Sequence, residues 1–270
     1  MTGPSLTFRV GLVQMACVVG DNVANLARAL DLLAGLPDDV ALAALPEFFN
    51  TGYHLDLIGQ DFYELAETIP GPTTETLAAL ARRQRLLLLA NIPERDPEQA
   101  GVLYDTTFIL DQQGQLLGRY RKTHLFPPER QYFRPGDELP VFETSLTRLG
   151  TATCFDHAFP EIFSTLANKA AHFIVVPSAV PVGYEYLLNL RTRARAQDNQ
   201  LWVAAVNRVG REGDVTYCGL SKVVNPRGEV VAEADPTAEQ LLLAEIDLHQ
   251  VTAEREQEPT LRVRRPELYR

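Results

Sequence analysis

Val40-Ala41-Leu42-Ala43-Ala44-Leu45-Pro46-Glu47-Phe48-Phe49 runs from an apolar stretch straight into one acidic residue held between proline and phenylalanine. A strand wetted on one side alternates in polarity. One that is apolar at every position is covered on both faces, as parallel strands of α/β proteins are. Residues 40–45 therefore read as such a strand, with Glu47 just past its carboxyl end.

The flanking sequence repeats the theme. Upstream, residues 8–13 read as a strand and residues 22–36 as an amphipathic helix, with Leu26, Leu30 and Leu33 on one face and Asp21 or Asn22 as its cap. Downstream, residues 73–85 read as a helix and 86–92 as another buried strand. Residues 104–110 and 115–120 flank Asp111-Gln112-Gln113-Gly114, a hairpin turn. Strands at 151–155, 173–176 and 202–206 alternate with helices at 160–168 and 186–199. A second hairpin joins 222–224 to 229–234 through Asn225-Pro226-Arg227-Gly228, and residues 241–246 form the last strand. No Ser/Gly-rich linker, charge block or repeat interrupts the series, so residues 1–270 read as one α/β domain with a mixed sheet layered against helices. The polar tail, 252–270, reads as solvated, or as docked on a partner subunit through Leu261, Val263, Leu268 and Tyr269.

Bulk properties remove alternatives. Of 270 residues, 46% are hydrophobic, too many for a mostly disordered chain. The formal net charge of −10, from 35 acidic and 25 basic residues, disfavours nucleic acid and anionic membrane. Three cysteines, Cys17, Cys154 and Cys218, show no metal-type spacing and are too few for a disulfide scaffold, so a reducing compartment is expected. Met1-Thr2-Gly3-Pro4 opens no secretory signal, and the apolar runs are too short to span a bilayer. The expectation is a soluble cytoplasmic protein.

Three reactive residue types stand just after predicted strands: Glu47, then Lys122 after Gly118-Arg119-Tyr120-Arg121, then Cys154 at the end of Leu149-Gly150-Thr151-Ala152-Thr153. Strand ends meet on one rim of an α/β sheet, where ligands bind. A thiol attacks only as thiolate and needs a base. A carboxylate can take that proton and return it to a departing amine. An ammonium beside the attacked carbonyl stabilises the oxyanion, best with a backbone N–H such as that of Phe155 aimed at the same point.

These segments make the chain similar to the nitrilase, or carbon–nitrogen hydrolase, superfamily along nearly its whole length. The resemblance rests on Leu45-Pro46-Glu47-Phe48-Phe49 with Thr51-Gly52-Tyr53, on Tyr120-Arg121-Lys122-Thr123-His124-Leu125-Phe126, and on Cys154-Phe155-Asp156-His157-Ala158-Phe159-Pro160-Glu161. Support comes from Arg193-Ala194-Arg195-Ala196-Gln197-Asp198-Asn199, Asn207-Arg208-Val209-Gly210, Gly219-Leu220-Ser221 and Asn225-Pro226-Arg227-Gly228. The resemblance implies a four-layer α-β-β-α sandwich, a Glu47–Lys122–Cys154 triad, a second glutamate at Glu129, and a homodimer or higher assembly. It implies no metal and no organic cofactor. Phe155-Asp156 after the cysteine, in place of the Trp-Glu of true nitrilases, points toward small amides or N-carbamoyl compounds cleaved through a thioester. The alternatives are a nitrile-hydrolysing enzyme and an idle binding protein on the same fold.

Phe49, Tyr53, Phe155, His157, Ala158, Ser178 and Ala179 are the expected substrate-lining residues. His157, three residues after Cys154, leaves open a Cys–His arrangement oriented by Asp156. A metal site from His124, Glu129, Asp156 and His157 lacks any HExxH or paired-cysteine spacing, and no Gly-rich phosphate loop occurs. The Arg191, Arg193 and Arg195 cluster reads as structural, pairing with acids on neighbouring elements. Cys17 and Cys218 read as ordinary buried thiols.

Overall fold

In the structure, a computed structural model describing residues 6–268, the elements follow in the order β1 (Thr7–Gln14), α1 (Asn22–Ala34), β2 (Val40–Ala44), α2 (Leu55–Ile58), α3 (Phe62–Leu65), α4 (Pro72–Gln84), β3 (Leu87–Arg95), β4 (Leu103–Leu110) and β5 (Leu116–Arg121). Then come β6 (Val141–Glu143), β7 (Arg148–Thr151), α5 (Pro160–Asn168), β8 (Phe173–Pro177), α6 (Glu185–Asn199), β9 (Trp202–Val206), β10 (Arg211–Glu212) and β11 (Val215–Thr216). Last are β12 (Lys222–Val224), β13 (Val230–Glu233), β14 (Gln240–Asp247) and α7 (His249–Gln257).

Two six-stranded mixed sheets result, ordered β14-β1-β2-β3-β4-β5 and β13-β12-β9-β8-β7-β6. Read from β14 in the first sheet and from β6 in the second, the pairings follow the same succession: antiparallel, parallel, parallel, antiparallel, antiparallel. Period-two alternation sorts the side chains. Val10, Leu12, Leu42 and Leu89 of one sheet pack between the sheets with Phe173, Val175, Ala204 and Val223 of the other. The opposite faces carry Val13, Ala43, Leu88 and Ala90 under α1 and α4, and Ile174, Val176 and Val203 under α5 and α6. The layers are helix, sheet, sheet, helix, as the resemblance implied.

The residues explain the boundaries. Asp21 caps α1 by accepting the Ala24 amide at 2.9 Å, and α1 buries Ala29 and Leu33 with Leu26 and Leu30 half-buried beside them. Pro72 opens α4 at a position that needs no N–H donor, and the Glu67 carboxylate caps it by accepting the Thr73 amide and hydroxyl at 2.7 and 2.6 Å.

Two expectations are corrected. Residues 151–155 do not continue as a strand. β7 stops at Thr151, because the Thr153 amide turns to Asp156 Oδ2 (2.8 Å), and a 3-10 turn, Cys154–Ala158, follows. The tail is not simply solvated: α7 buries Val251, Gln200 Nε2 binds the Glu254 and Glu258 carbonyls, and Leu261 packs on the cluster beneath α5 and α6. Val263 and Leu268 stay exposed, and Tyr269 lies outside the described residues. The short helices α2 and α3, the β10–β11 hairpin and β6 were not anticipated, being too short for a periodic signal.

Candidate active site

The site forms where the carboxyl ends of β2 and β5 in one sheet face those of β7 and β8 in the other. Just past β2 the chain bends sharply, with Phe48 at φ +47°, in the left-handed region that non-glycine residues rarely occupy. Its amide donates to Asn91 Oδ1 at 2.9 Å, which pins Glu47 beside the sheet edge. Asn91 Nδ2 in turn donates to Asp105 Oδ1 at 2.6 Å and Thr107 Oγ1 at 3.1 Å. Thr107 Oγ1 meets Thr153 Oγ1 of the second sheet at 3.2 Å.

Lys122 is the first residue beyond β5, and its amide donates to the Asp105 carbonyl at 2.8 Å. Its Nζ lies 2.7 Å from Glu47 Oε1, 2.7 Å from Glu129 Oε1 and 3.2 Å from Asp105 Oδ2, and all four side chains are fully buried. Burial alone pulls an ammonium pKa down. Here the Glu129, Glu47 and Asp105 carboxylates outweigh it, and the Lys122 pKa is lifted well above its usual value. Burial pushes the Glu47 carboxyl well above the usual carboxylate range, Lys122 pulls it back, and Asp105 and Glu129 push it up again. Glu129 is raised in the same way, burial first and Lys122 opposing. Lys122 thus keeps its charge, and burial with like-charged neighbours gives Glu47 and Glu129 a raised affinity for a proton.

Glu129 sits on a 3-10 turn, Pro127–Gln131, and is the most tightly ligated of the three. Beyond Lys122, its Oε1 accepts the Tyr53 hydroxyl at 2.5 Å and its Oε2 the Phe126 amide at 2.9 Å. Tyr53 is held from behind: Glu212 Oε2 accepts the Tyr53 and His54 amides at 2.9 and 2.8 Å and the Tyr217 hydroxyl at 2.9 Å. The buried Arg208 closes that set by pairing with Glu212. Gly52, at φ +81°, lets the loop come this close, since a Cβ there would meet Glu212 Oε1 at 2.8 Å.

Cys154 opens its turn at φ +42° and is half-buried. Burial raises its thiol pKa most, Glu47 and Glu129 raise it further, and Lys122 and the Ala179 amide oppose; the result is well above the usual value. The thiol is therefore neutral at rest, with a carboxylate and an ammonium within electrostatic reach. Tyr53 is within electrostatic reach of Cys154 as well.

The other anticipated residues are distributed unevenly. Phe49 is fully buried in the cluster under α1 and α4, among Val13, Leu45 and Ala90. Phe155 is half-buried, its ring 5.5 Å from both Phe126 and Phe159. His157 is buried and stacked on Phe163 at 5.3 Å; burial first, then Arg195 and Arg191, lower its pKa to about 3. Its carbonyl and that of Ala158 accept Arg195 Nη2 at 3.1 and 3.4 Å, so Arg195 serves the turn and Arg193, on the Gly228 carbonyl at 2.9 Å, serves a hairpin. Ser178 is buried on the chain's own carbonyls, its hydroxyl on Val176 at 3.3 Å. Ala179 follows it with an amide directed at Cys154.

Sequence reading missed Asp105, Asn91 and Glu212. Asp105 and Asn91 stand as buried polar side chains within largely apolar or β-branched stretches of strand, the signal that marks a buried polar group with a task. Glu47, Asp105 and Glu129 form a donor set of the kind that binds a cation. The Lys122 ammonium stands at its centre and supplies the positive charge itself. His124, half-exposed and stacked on Phe159 at 3.9 Å, stands apart from that set.

A family model described as carbon-nitrogen hydrolase matches residues 9–256. The omega-amidase NIT2-A of Xenopus laevis is 37% identical, over 97% of this chain and 96% of that protein. The omega-amidase NIT2 of Homo sapiens is 34% identical, over 97% of each. Saccharomyces cerevisiae Nit3, a member of branch 10 of the nitrilase superfamily, superposes with a TM-score of 0.86 at 30% identity, covering 96% of this chain and 97% of that one. A cysteine-to-alanine variant of the amidase from Nesterenkonia sp. AN1, in complex with butyramide, superposes with a TM-score of 0.84 at 27% identity, covering 97% of this chain and 95% of that one. A glutamate-to-glutamine variant of the same amidase carries the acetamide moiety of fluoroacetamide covalently at its active-site cysteine. With a matching fold, a buried lysine ringed by carboxylates and similarity over nearly the full length, this chain belongs to the carbon-nitrogen hydrolase family.

Proposed function

We propose that the chain is one amidase-type domain that hydrolyses small amides or N-carbamoyl compounds, with Cys154 as nucleophile, Glu47 as general base and acid, and Lys122 as oxyanion stabiliser. The observation that carries this reading is Lys122 Nζ at 2.7 Å from both Glu47 and Glu129, with the Cys154 thiol under the influence of all three charges. The raised pKa values suit the reaction's resting state: a neutral thiol beside a carboxyl group with affinity for its proton.

As Cys154 Sγ attacks the carbonyl carbon, Glu47 takes the thiol proton and the carbonyl oxygen gains charge beside Lys122 and the Phe155 amide. Collapse of that tetrahedral intermediate breaks the C–N bond, Glu47 returns the proton to the nitrogen, and ammonia or amine leaves a thioester. Water, deprotonated by Glu47, then attacks the thioester and releases the acid and the free thiol. Glu129, fastened by Tyr53 and the Phe126 amide, holds Lys122 in place throughout. Tyr53, Phe155 and Ala179 border the substrate; Phe49, Ser178 and His157 support the walls from behind.

The omega-amidases and the butyramide-binding amidase among the relatives favour amides over nitriles. Among the described residues no helix is long and apolar enough to cross a membrane, which is compatible with a cytoplasmic enzyme. A homodimer joined through α6 is part of the proposal, because Val182, Tyr184, Tyr186 and Leu190 stand exposed there. Ammonia release from a primary amide, its N-carbamoyl analogue and the matching nitrile tests the reading. The amide or carbamoyl compound should have the highest kcat/KM, with an acyl adduct on the Cys154 peptide by mass spectrometry. A best rate with the nitrile, or no turnover of any of the three, would overturn it.

A further inference from the structure

We infer that Asp156 is a positioning residue that sets the distance between Cys154 and Lys122, by clamping together the two chain segments that carry them; this rests on the function proposed above. Its carboxylate is fully buried and meets five polar groups. Oδ2 accepts the Thr153 amide at 2.8 Å, one residue before the nucleophile, and the Tyr120 hydroxyl at 2.6 Å, two residues before the lysine. Oδ1 accepts the His124 amide at 3.0 Å, two residues after the lysine, and faces the Thr123 hydroxyl at 3.3 Å. The His124 ring nitrogen Nδ1 lies 3.3 Å from the same oxygen.

The need for such a clamp follows from the architecture. Lys122 leaves the first sheet and Cys154 leaves the second, and among the described residues no strand pairing joins the two sheets. Between them lies apolar side-chain packing, which is non-directional and does not fix a register between sulfur and ammonium. The Thr107–Thr153 hydroxyl contact, Gln14 Oε1 on Ser221 and Trp202 Nε1 on the Asp247 carbonyl are polar crossings too, and Asp156 is the one that ties the segments flanking both Cys154 and Lys122. The same residue secures the turn itself: its carboxylate accepts the Thr153 amide and its own amide donates back to the Thr153 carbonyl at 2.9 Å, which brackets the left-handed Cys154. Hydrogen bonds to a charged acceptor are the stronger kind, so the clamp resists the strain at Cys154.

Asp156→Asn keeps the shape but puts an NH2 against one backbone N–H, the Thr153 or the His124 amide, and opens one side of the clamp. A 1 Å misplacement of reacting groups costs on the order of 100-fold, so kcat of folded Asp156→Asn should fall at least ~30-fold with KM changed less than about threefold. Alkylation of Cys154 by iodoacetamide, followed by peptide mass, should slow at least ~10-fold while Cys17 alkylation is unchanged. A purely structural role would instead lower Tm and kcat together and be relieved by cooling. Tyr120→Phe removes one tie to the carboxylate together with the hydroxyl that accepts the Thr123 amide at 3.2 Å, while the Thr153 and His124 amides keep theirs, and should lower kcat about three- to tenfold at unchanged circular dichroism. A folded Asp156→Asn whose kcat and Cys154 alkylation both stay within about threefold of wild type overturns the inference. If that variant does not fold, a Tyr120→Phe protein indistinguishable from wild type overturns it. A wild-type protein inert toward every amide would sink the proposed function alone, because the alkylation arm reads Cys154 without substrate.

Discussion

Asp105 Oδ2 lies 3.2 Å from Lys122 Nζ, which makes Asp105 a third carboxylate on a lysine that already serves Glu47 and Glu129. Its charge is one of the causes that raise the Glu47 pKa. Asp105→Asn keeps an acceptor for Asn91 and removes that charge. The Glu47 pKa should fall, and the acid limb of kcat/KM should move to lower pH. A limb displaced to higher pH would show that Asp105 does not act on Glu47.

Glu47→Gln should separate activity from stability. Turnover should drop at least ~100-fold, the scale of lost general acid–base catalysis. Stability moves the other way. A carboxyl whose folded pKa lies above its unfolded one binds more protons when native, so stability falls as pH rises from the unfolded pKa through the folded one. Glutamine carries no such penalty. Thermal unfolding at pH 8 should give a Tm equal to or above wild type, with the difference shrinking toward pH 4. A Tm well below wild type at pH 8 would mean that the Lys122 pair outweighs the burial of excess negative charge.

His157 offers the cleanest test of the Cys–His alternative. Burial, with Arg195 and Arg191 nearby, lowers its pKa to about 3, and its ring stacks on Phe163. A neutral imidazole in that position cannot cycle protons with Cys154. His157→Phe should retain at least about a third of wild-type kcat, far from the ~100-fold loss of a missing acid–base group. Between pH 6.5 and about 3 the unfolded chain binds a proton at His157 that the native state refuses, so this group costs stability as pH falls through that window. Unfolding curves should therefore show a shallower loss of Tm with acid in the variant. Loss of activity on the scale of Cys154→Ala would revive the imidazole mechanism.

The exposed apolar side chains near α6 predict assembly. Tyr186 and Leu190 are 64% and 62% exposed one helical turn apart, with Val182 and Tyr184 just upstream. Light scattering should give a dimer or larger species for the wild type and a monomer for Tyr186→Glu/Leu190→Glu. A wild-type monomer at micromolar concentration would refute the α6 interface. Truncation at Ala253 is a poor probe, because it cuts α7, whose Arg255 Nη2 reaches the Ala171 carbonyl of the same subunit at 3.2 Å.

Much was legible from residues alone. The all-apolar runs, the amphipathic faces and the hairpin turns are local signals, and helix Pro160–Asn168 and strands Trp202–Val206 and Lys222–Val224 stand where their periodicity put them. Glu47 and Lys122 stand out by residue type and position, Glu129 by the family resemblance, and the three, scattered over 83 positions of the chain, meet in one buried cluster. Cys154 was found in the same way, but its left-handed turn was read as strand, since a backbone reversal imposed by Asp156 leaves no periodic trace.

What only the tertiary structure decided was which polar groups face one another. Asp105 and Asn91 acquire their roles as diagonal neighbours across β3 and β4, Asn91 standing opposite Thr107 and Asp105 opposite Pro93. Asp156 acquires its role by reaching from the second sheet to the end of the first. His157 loses the role its position suggested because its ring turns toward Phe163. Periodicity tells which face of an element is buried, because burial is a one-body property of each side chain. Distances between elements are pairwise, and they are set by how two sheets pack, which no local stretch of chain encodes.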